Sequence, residues 1–195
     1  MADELAIPRG ELILGGQKSG KSRRAEVIAR QWLARSPANN AVLIATAQPW
    51  DEEMRQRIAR HQADRAVRVP ELQTVEVPLQ LAEALSRYSQ PQTLVVVDCL
   101  TLWLTNLLMP ASNFEQNKAS AHDPPAQAAM VLRAIEEAAG PVVLVSNEIG
   151  LGVIPLGRAT REFVDALGRL NQDMAYICER VTLMAAGLPL TLKGR

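Results

Sequence analysis

The chain has 195 residues, of which 48% are hydrophobic and 22% charged, a composition typical of one globular domain spanning residues 1–195. Its formal net charge is zero, which argues against whole-chain electrostatic binding to nucleic acid or to an anionic membrane. The acidic start lacks an apolar signal core, no apolar run is long enough to span a membrane, and the two cysteines form no CxxC pair. These features predict a cytoplasmic protein without a disulfide or zinc scaffold.

Strand and helix patterns alternate along the first part of the chain. Residues 11–15 (ELILG) predict a short buried strand that runs into glycines, and residues 22–35 predict an amphipathic helix. Residues 41–46 (AVLIAT) predict a second buried strand. Asp51 is predicted to cap the helix that carries His61, since aspartate is a preferred N-cap residue. Two glutamates follow it in the first turn, where the helix dipole favours acids.

The same alternation continues to the end of the chain. A short strand, a helix, two apolar strands separated by helical stretches, a long helix and two closing segments are predicted at residues 73–77, 79–88, 93–98, 141–148, 158–179, 180–187 and 190–193. Near-continuous Val, Ile and Leu strands joined by helices indicate an α/β fold, with a mainly parallel sheet covered on both faces. Residues 110–127 predict a surface-loop insertion in which His122 is solvated.

A glycine-rich segment between the first predicted strand and helix fits the phosphate-binding pattern G-x-x-x-x-G-K-[ST]. It consists of Gly15, Gly16, Gln17, Lys18, Ser19, Gly20, Lys21 and Ser22. The glycines let successive backbone N–H groups converge on phosphate oxygens at a helix N-terminus. In this pattern Lys21 reaches the β- and γ-phosphates, and the Ser22 hydroxyl binds Mg²⁺. The segment therefore predicts a nucleoside triphosphate site.

Two acids at strand ends are candidates for the same site. A phosphate-binding loop of this kind needs a second carboxylate for its Mg²⁺, usually at the end of a neighbouring strand. Asp98, which closes TLVVVD, is the best candidate, although such an aspartate can instead cap the next helix. Glu148, which ends VVLVSNE, is suited to orient a water or to contact substrate.

His61 lies in an arginine-rich helix, within MRQRIARHQADR. Met54, Ile58 and His61 are spaced by four and three residues, so they share one helical face. The spacing alone favours a half-buried structural histidine. For Arg60 and Arg65, solvated helix arginines are the default, with neutralisation of phosphate charge as the alternative.

Other motifs restrict the class of nucleotide enzyme. The N-K-x-D motif of GTPase switches and the L-S-G-G-Q motif of ABC-type motors are both absent from the sequence. A neutral chain of this length also shows no DNA-binding surface of the kind that a recombinase-like filament requires. A small-molecule kinase fits the size well.

Five ordered segments closely resemble the bifunctional adenosylcobinamide kinase/adenosylcobinamide-phosphate guanylyltransferase family: GGQKSGKS, IATAQPWDEEMRQRIARHQADR, TVEVPLQL, VVVDCLTLWLTNLL and VSNEIGLGVIPLGRATREFVDALGRLNQDMA. The resemblance covers residues 11–193 and implies a role in late cobalamin synthesis. Family members phosphorylate the aminopropanol hydroxyl of adenosylcobinamide. They then transfer GMP from GTP onto that phosphate, which yields adenosylcobinamide-GDP and pyrophosphate. The resemblance also implies a RecA-like P-loop fold, ATP and GTP as substrates with Mg²⁺, and a homotrimer.

The family pattern assigns roles to individual residues. It implies that GMP travels through a covalent guanylyl-histidine at His61. It further implies nucleotide contacts by the phosphate-binding segment and by Ala45, Thr46, Ala47, Gln62, Ala63, Asp64, Arg65, Glu76 and Asp98.

The sequence departs from the family pattern in three places. Arg60 stands where a second histidine can occur, which leaves His61 as the candidate nucleophile. Residues 65–73 lack a tryptophan that is common there, and the 110–127 insertion has no assigned role.

Residues 99–109 are apolar almost all round, which fits a subunit interface and core burial equally well.

Two other functional hypotheses remain. One is a P-loop kinase for another small hydroxylated substrate, with His61 structural. The other is a non-enzymatic nucleotide switch whose hydrolysis only changes affinity for a partner.

Overall fold

A computed structural model describes residues 7–109 and 123–194. Its strands are β1 (Gly10–Gly15), β2 (Asn40–Ala45), β3 (Gln73–Glu76), β4 (Thr93–Asp98), β5 (Val142–Val145), β6 (Arg180–Ala185) and β7 (Leu188–Lys193). Its helices are α1 (Lys21–Arg35), α2 (Glu52–Arg68), α3 (Leu81–Tyr88), α4 (Leu100–Leu108), α5 (Pro124–Glu136) and α6 (Arg158–Ile177).

The strands of the described part of the chain form one sheet in the order β3-β2-β4-β5-β1-β6-β7. Neighbouring strands are parallel from β3 to β6, and β7 pairs antiparallel with β6. The last two strands are joined by a tight turn in which Ala186 and Gly187 both have positive φ, at 51° and 81°. Such a turn matches the twist of a hairpin. The carboxyl ends of β1, β5, β4 and β2 therefore meet at one edge of the sheet.

Helices cover both faces of the sheet, as the near-continuous apolar strands predict. On one face, side chains of α3 to α6 such as Leu85, Trp103 and Leu167 pack on the sheet, and on the other Ile28 and Ala29 of α1 do so. Each face thus has its own apolar cluster. The P-loop helix α1 packs closely against the strands that carry the predicted site.

Several predicted boundaries differ from the structure. The strand predicted at residues 141–148 ends at Val145, where its pairing with β4 stops, although the chain beyond it still bonds to the end of β1 through the Ser146 and Glu148 N–H groups. The helix predicted at residues 79–88 begins at Leu81. The last four residues of the loop predicted at residues 110–127 belong to α5, since Pro124 and Pro125 stand in its first turn, where no N–H is needed. Residues 110–122, including His122, lie outside the described residues.

The apolar segment at residues 99–109 largely forms core. Leu100, Trp103 and Leu104 of α4 are buried, and Leu108 and Met109 at its end are exposed. In the ranges 7–109 and 123–194, no helix is both long and apolar enough to cross a bilayer.

Candidate functional site

The glycine-rich segment connects β1 to α1 through backbone conformations that favour glycine. Gly15 has φ +151°, and a Cβ there would lie 2.5 Å from the carbonyl oxygen of Met184 and 2.6 Å from Ser19 Oγ. Gly20, with φ +102°, brings the chain into α1 in the left-handed conformation. The Gly187 N–H donates to the Ser19 carbonyl at 3.0 Å, which fixes the loop against the β6–β7 turn.

Lys21, the first residue of α1, folds its side chain back onto this loop. Its Nζ donates to the Gly16 carbonyl at 2.6 Å, and the residue is buried. Burial lowers the pKa of the Lys21 ammonium; the positive charge of Arg57 adds to this effect, and the Asp98 carboxylate opposes it. Ser19 Oγ is buried without a hydrogen-bond partner in the described structure. A phosphate would satisfy both the buried cation and the unpartnered hydroxyl.

Three predicted nucleotide positions lie side by side at the carboxyl edge of the sheet. Ala45 pairs in register with Asp98 on one side and with Glu76 on the other. The Thr46 N–H donates to the Asp98 carbonyl at 3.1 Å. The Thr46 hydroxyl donates to the Cys99 carbonyl at 2.7 Å and accepts from the Cys99 N–H at 2.9 Å. These bonds hold the ends of β2 and β4 together, and Ala47 follows directly.

Ser22 and Asp98 offer the oxygen donors that Mg²⁺ prefers. Both residues are partly exposed, and the Asp98 carboxylate lies close enough to Lys21 to influence its pKa. Across residues 7–109 and 123–194, no group of three or more His, Cys, Asp or Glu could hold a metal. One carboxylate and one hydroxyl beside a phosphate cradle fit a cation that phosphates also ligate, better than they fit an all-protein cage.

His61 is exposed on α2, so the interpretation as a half-buried structural histidine, which its spacing favours, is wrong. Met54 and Ile58 are partly buried as expected. The face does not continue to His61 because α2 makes few contacts with the other elements. Asp51 caps the helix as predicted, accepting from the Met54 N–H at 2.7 Å. The imidazole is therefore open to a ligand.

Arg65 is buried, contrary to the default expectation of a solvated arginine. Its Nη1 donates to Thr74 Oγ1 at 2.9 Å, and its Nε lies 4.0 Å from Glu26 Oε1 of α1. Arg60 is exposed, as that default predicts. The burial follows from the docking of the C-terminal half of α2 onto α1 and β3, which periodicity within α2 does not reveal.

A cleft of about 370 Å³ lies between α2 and β3. Its lining residues are Gln62, Arg65, Ala66, Val69, Pro70, Leu72, Thr74 and Glu76. The Gln62 amide donates to Glu76 Oε1 at 3.2 Å across it. The predicted residues Ala63 and Asp64 are exposed and do not line it; Asp64 pairs with Arg68 at 3.0 Å instead. The predicted site thus comprises a phosphate cradle and a separate cleft of mixed polar and apolar lining, which includes the Glu76 carboxylate and the Arg65 guanidinium.

Sequence reasoning did not assign some residues that support the site. Arg57, one helical turn before His61, lies within electrostatic range of Lys21. Glu26 joins α1 to α2 through Arg68, whose Nη1 donates to its Oε2 at 2.9 Å. The i, i+4 spacing of Arg57 and His61 in the sequence could have indicated that both side chains lie on one face of α2. The pairing of Glu26 with α2 left no comparable signal in the sequence.

Comparison with known proteins gives a consistent result. A family model described as cobinamide kinase / cobinamide phosphate guanyltransferase matches residues 11–192. The bifunctional adenosylcobalamin biosynthesis protein CobP of Pseudomonas aeruginosa is 46% identical over 188 residues, covering 94% of this chain and 97% of that protein. The bifunctional adenosylcobalamin biosynthesis protein CobU of Escherichia coli is 32% identical over 188 residues, covering 93% and 98%.

Solved structures match the fold at low sequence identity. The flagellar accessory protein FlaH of Methanocaldococcus jannaschii has a TM-score of 0.54 and 13% identity, covering 97% of this chain and 81% of that chain. The ATPase EscN of the type III secretion system of enteropathogenic E. coli has a TM-score of 0.56 and 12% identity, covering 92% and 43%. The predicted α/β P-loop fold with a mainly parallel sheet is thereby confirmed.

Proposed function

Because the chain belongs to the cobinamide kinase / cobinamide phosphate guanyltransferase family, we propose that it phosphorylates the aminopropanol hydroxyl of adenosylcobinamide with ATP or GTP and then transfers GMP from GTP onto that phosphate. The family membership predicted from the sequence is thus confirmed. The observation that carries it is a complete phosphate cradle beside a helix that exposes the histidine His61.

The phosphate cradle serves both half-reactions. Backbone N–H groups of Gly16 to Ser22 and the Lys21 ammonium would bind the β- and γ-phosphates, after Lys21 exchanges the Gly16 carbonyl for a phosphate oxygen. Ser22 and Asp98 would hold Mg²⁺, which neutralises the charge that develops on the departing phosphates. The leaving group is GDP or ADP in the kinase reaction and pyrophosphate in the guanylyl transfer. Since both are phosphate groups that lie in the cradle, a single cradle can stabilise both leaving groups.

His61 acts as the carrier of GMP in this proposal. An unprotonated imidazole nitrogen attacks the α-phosphorus, the α–β phosphoanhydride bond breaks, and pyrophosphate leaves with the electron pair. The phosphate of the acceptor then attacks the same phosphorus and displaces the histidine. The exposure of His61 supports this role, since a covalent carrier must be reached by two different reactants.

The cleft between α2 and β3 is the proposed site of the guanine base. Guanine presents two adjacent donors, its ring N–H and its amino group, which the Glu76 carboxylate can accept once Gln62 releases it. The apolar lining from Val69, Pro70 and Leu72 suits the faces of a base. Ala45 lies in register between Glu76, at the proposed base site, and Asp98, at the proposed phosphate site. Residues 45–47 would therefore contact the part of the nucleotide between the base and the phosphates.

A homotrimer completes the proposal. Leu188, Leu190 and Leu192 alternate along the edge strand β7 and are all exposed. Five further apolar side chains are exposed between β5 and α6, namely Ile149, Leu151, Val153, Ile154 and Leu156. Large apolar side chains left exposed in such number favour an association surface. Static light scattering at micromolar concentration should give three times the chain mass, and a stable monomer would reject the trimer.

Purified protein with labelled nucleotides tests the enzymatic part. With γ-labelled ATP and adenosylcobinamide, we expect label in adenosylcobinamide phosphate, and subsequent addition of GTP should give adenosylcobinamide-GDP. Label transferred only to another small alcohol would favour the alternative kinase. Nucleotide binding without transfer to any acceptor would favour the switch hypothesis.

A further inference from the structure

Glu148 follows the strand that separates the P-loop strand from the Asp98 strand. Val145 of β5 pairs in register with Ile13 of β1 and with Asp98 of β4. Beyond β5 the chain stays bound to the P-loop strand: the Ser146 N–H donates to the Ile13 carbonyl at 3.0 Å, and the Glu148 N–H donates to the Gly15 carbonyl at 3.1 Å. Glu148 is thereby fixed beside the first residue of the phosphate cradle.

A buried polar network holds the two residues before Glu148. The Ser146 hydroxyl donates to Asn171 Oδ1 at 2.7 Å, and Asn171 Nδ2 donates to the Asn147 carbonyl at 3.0 Å. The Asn147 N–H donates to Thr101 Oγ1 at 2.8 Å. Ser146, Asn171 and Thr101 are buried, so these bonds are shielded from competing water. The backbone that presents Glu148 is therefore rigidly positioned, as a catalytic group requires.

The Glu148 carboxylate remains available. It is partly exposed, and in the described structure its one hydrogen bond comes from the Gly150 N–H to Oε1 at 3.2 Å. No ion pair with a described basic residue engages it. A carboxylate that neither stabilises the fold through a cation nor binds a second element can accept a proton from a bound substrate.

We infer that Glu148 is the general base of the kinase half-reaction. The inference rests on the proposed function and deepens it. The acceptor hydroxyl oxygen bonds to the γ-phosphorus, the bond from that phosphorus to the β-phosphate oxygen breaks, and the nucleoside diphosphate leaves with the electron pair. The hydroxyl proton passes to the Glu148 carboxylate.

The guanylyl transfer makes no such demand. The attacking imidazole nitrogen of His61 carries no proton, and the acceptor phosphate that later displaces it attacks through an ionised oxygen. Neither step needs a base beside Gly15. Loss of the Glu148 carboxylate should therefore separate the two activities, whereas damage to the cradle impairs both.

Glu148→Gln provides the test, because glutamine keeps an oxygen that can accept the Gly150 N–H. The kinase kcat should fall by about 10²–10⁴-fold with little change in KM for ATP or adenosylcobinamide. GMP labelling of the protein and transfer to chemically supplied adenosylcobinamide phosphate should stay within about twofold. Glu136→Gln, at an exposed glutamate of α5, is the matched control and should leave both rates unchanged.

An unchanged kinase rate, or a parallel loss of both activities in a variant with the wild-type melting temperature, would overturn the inference. Should Glu148→Gln not fold, Glu148→Asp replaces it, with the same selective loss of kinase rate expected and parallel loss counting against the role. Wild-type protein that makes no adenosylcobinamide phosphate would overturn both the proposed function and the inference. Wild-type activity with an unaffected variant would overturn the inference alone.

Discussion

Substitution of Glu26 by alanine should loosen α2 while leaving the sheet intact. Glu26 of α1 is buried; its Oε2 accepts from Arg68 at 2.9 Å, and its Oε1 lies 4.0 Å from Arg65 Nε. These contacts attach the helix that carries His61 to the helix that follows the phosphate cradle. Few others do so, because among the residues of α2, all of them described, only Arg65 is buried.

The expected magnitude follows from the exposure of the two arginines. The Arg68 side chain is 40% exposed, so water can replace its ion pair at a cost of at most about 1 kcal/mol. The Arg65 side chain is 9% exposed, and loss of one partner of a buried pair typically costs about 3–5 kcal/mol. Release of α2 would let Arg65 reach solvent and limit that cost. We therefore expect the free energy of unfolding to fall by about 1–3 kcal/mol.

Urea unfolding and amide hydrogen exchange measure this effect. The amides of α2 should exchange at least about tenfold faster in Glu26→Ala, whereas the core amides of β1, β4 and β5 should accelerate by no more than the fall in the free energy of global unfolding. Labelling of His61 by GTP should slow in parallel. Glu137→Ala, which removes an exposed ion pair with Arg133 on α5, is the control and should change neither property. Unaltered exchange in α2, or a greater increase in the sheet than in α2, would show that Glu26 does not hold this helix.

Three further predictions concern the cradle, the metal ligand and a buried thiol. Gly15→Ala should abolish nucleotide binding, measured by calorimetry, because its Cβ would lie 2.5 Å from the Met184 carbonyl; Gly10→Ala on the same strand, whose nearest contact is 3.5 Å, should bind normally. Asp98→Asn should slow both half-reactions by more than about 10²-fold at limiting Mg²⁺, and unchanged rates would reject the metal role. Burial raises the pKa of the Cys178 thiol to about 12, so the folded protein keeps a proton that the unfolded chain releases above about pH 9. The contribution of the Cys178 thiol to the free energy of unfolding is complete below pH 9 and falls by up to about 1.4 kcal/mol per pH unit between pH 9 and 12. Urea unfolding at several pH values should show a shallower decline of the free energy of unfolding in Cys178→Ala.

The architecture was predictable because its signals are local. Buried parallel strands are apolar on both faces, so β1, β2, β4 and β5 stand out as short Val, Ile and Leu runs, and the glycine-lysine-serine pattern fixes where β1 gives way to α1. The boundary errors have local causes as well. The start of α5 at Pro124 was missed because prolines mark both loops and first helical turns.

The environment of α2 was not predictable from its own residues. Spacing places His61 on the face of Met54 and Ile58, yet the imidazole is exposed and the charged Arg65 is buried. The burial of Arg65 depends on Glu26 and Thr74, which come from α1 and β3 and are distant in sequence. Likewise, the place of Glu148 after an apolar strand was visible in the sequence, but its N–H bond to Gly15 and the support that Asn171 of α6 gives to the two preceding residues are long-range contacts.

Peptide mapping after incubation with α-labelled GTP and Mg²⁺ decides whether His61 carries GMP covalently. We expect acid-labile GMP on a single peptide containing His61, no label in folded His61→Ala, and normal labelling of His122→Ala, which removes the only other histidine of the chain. His61→Ala should still phosphorylate adenosylcobinamide, because that reaction uses the hydroxyl of the substrate as nucleophile. GMP bound to another residue, or persistent labelling of a folded His61→Ala variant, would rule out His61 as the carrier of GMP.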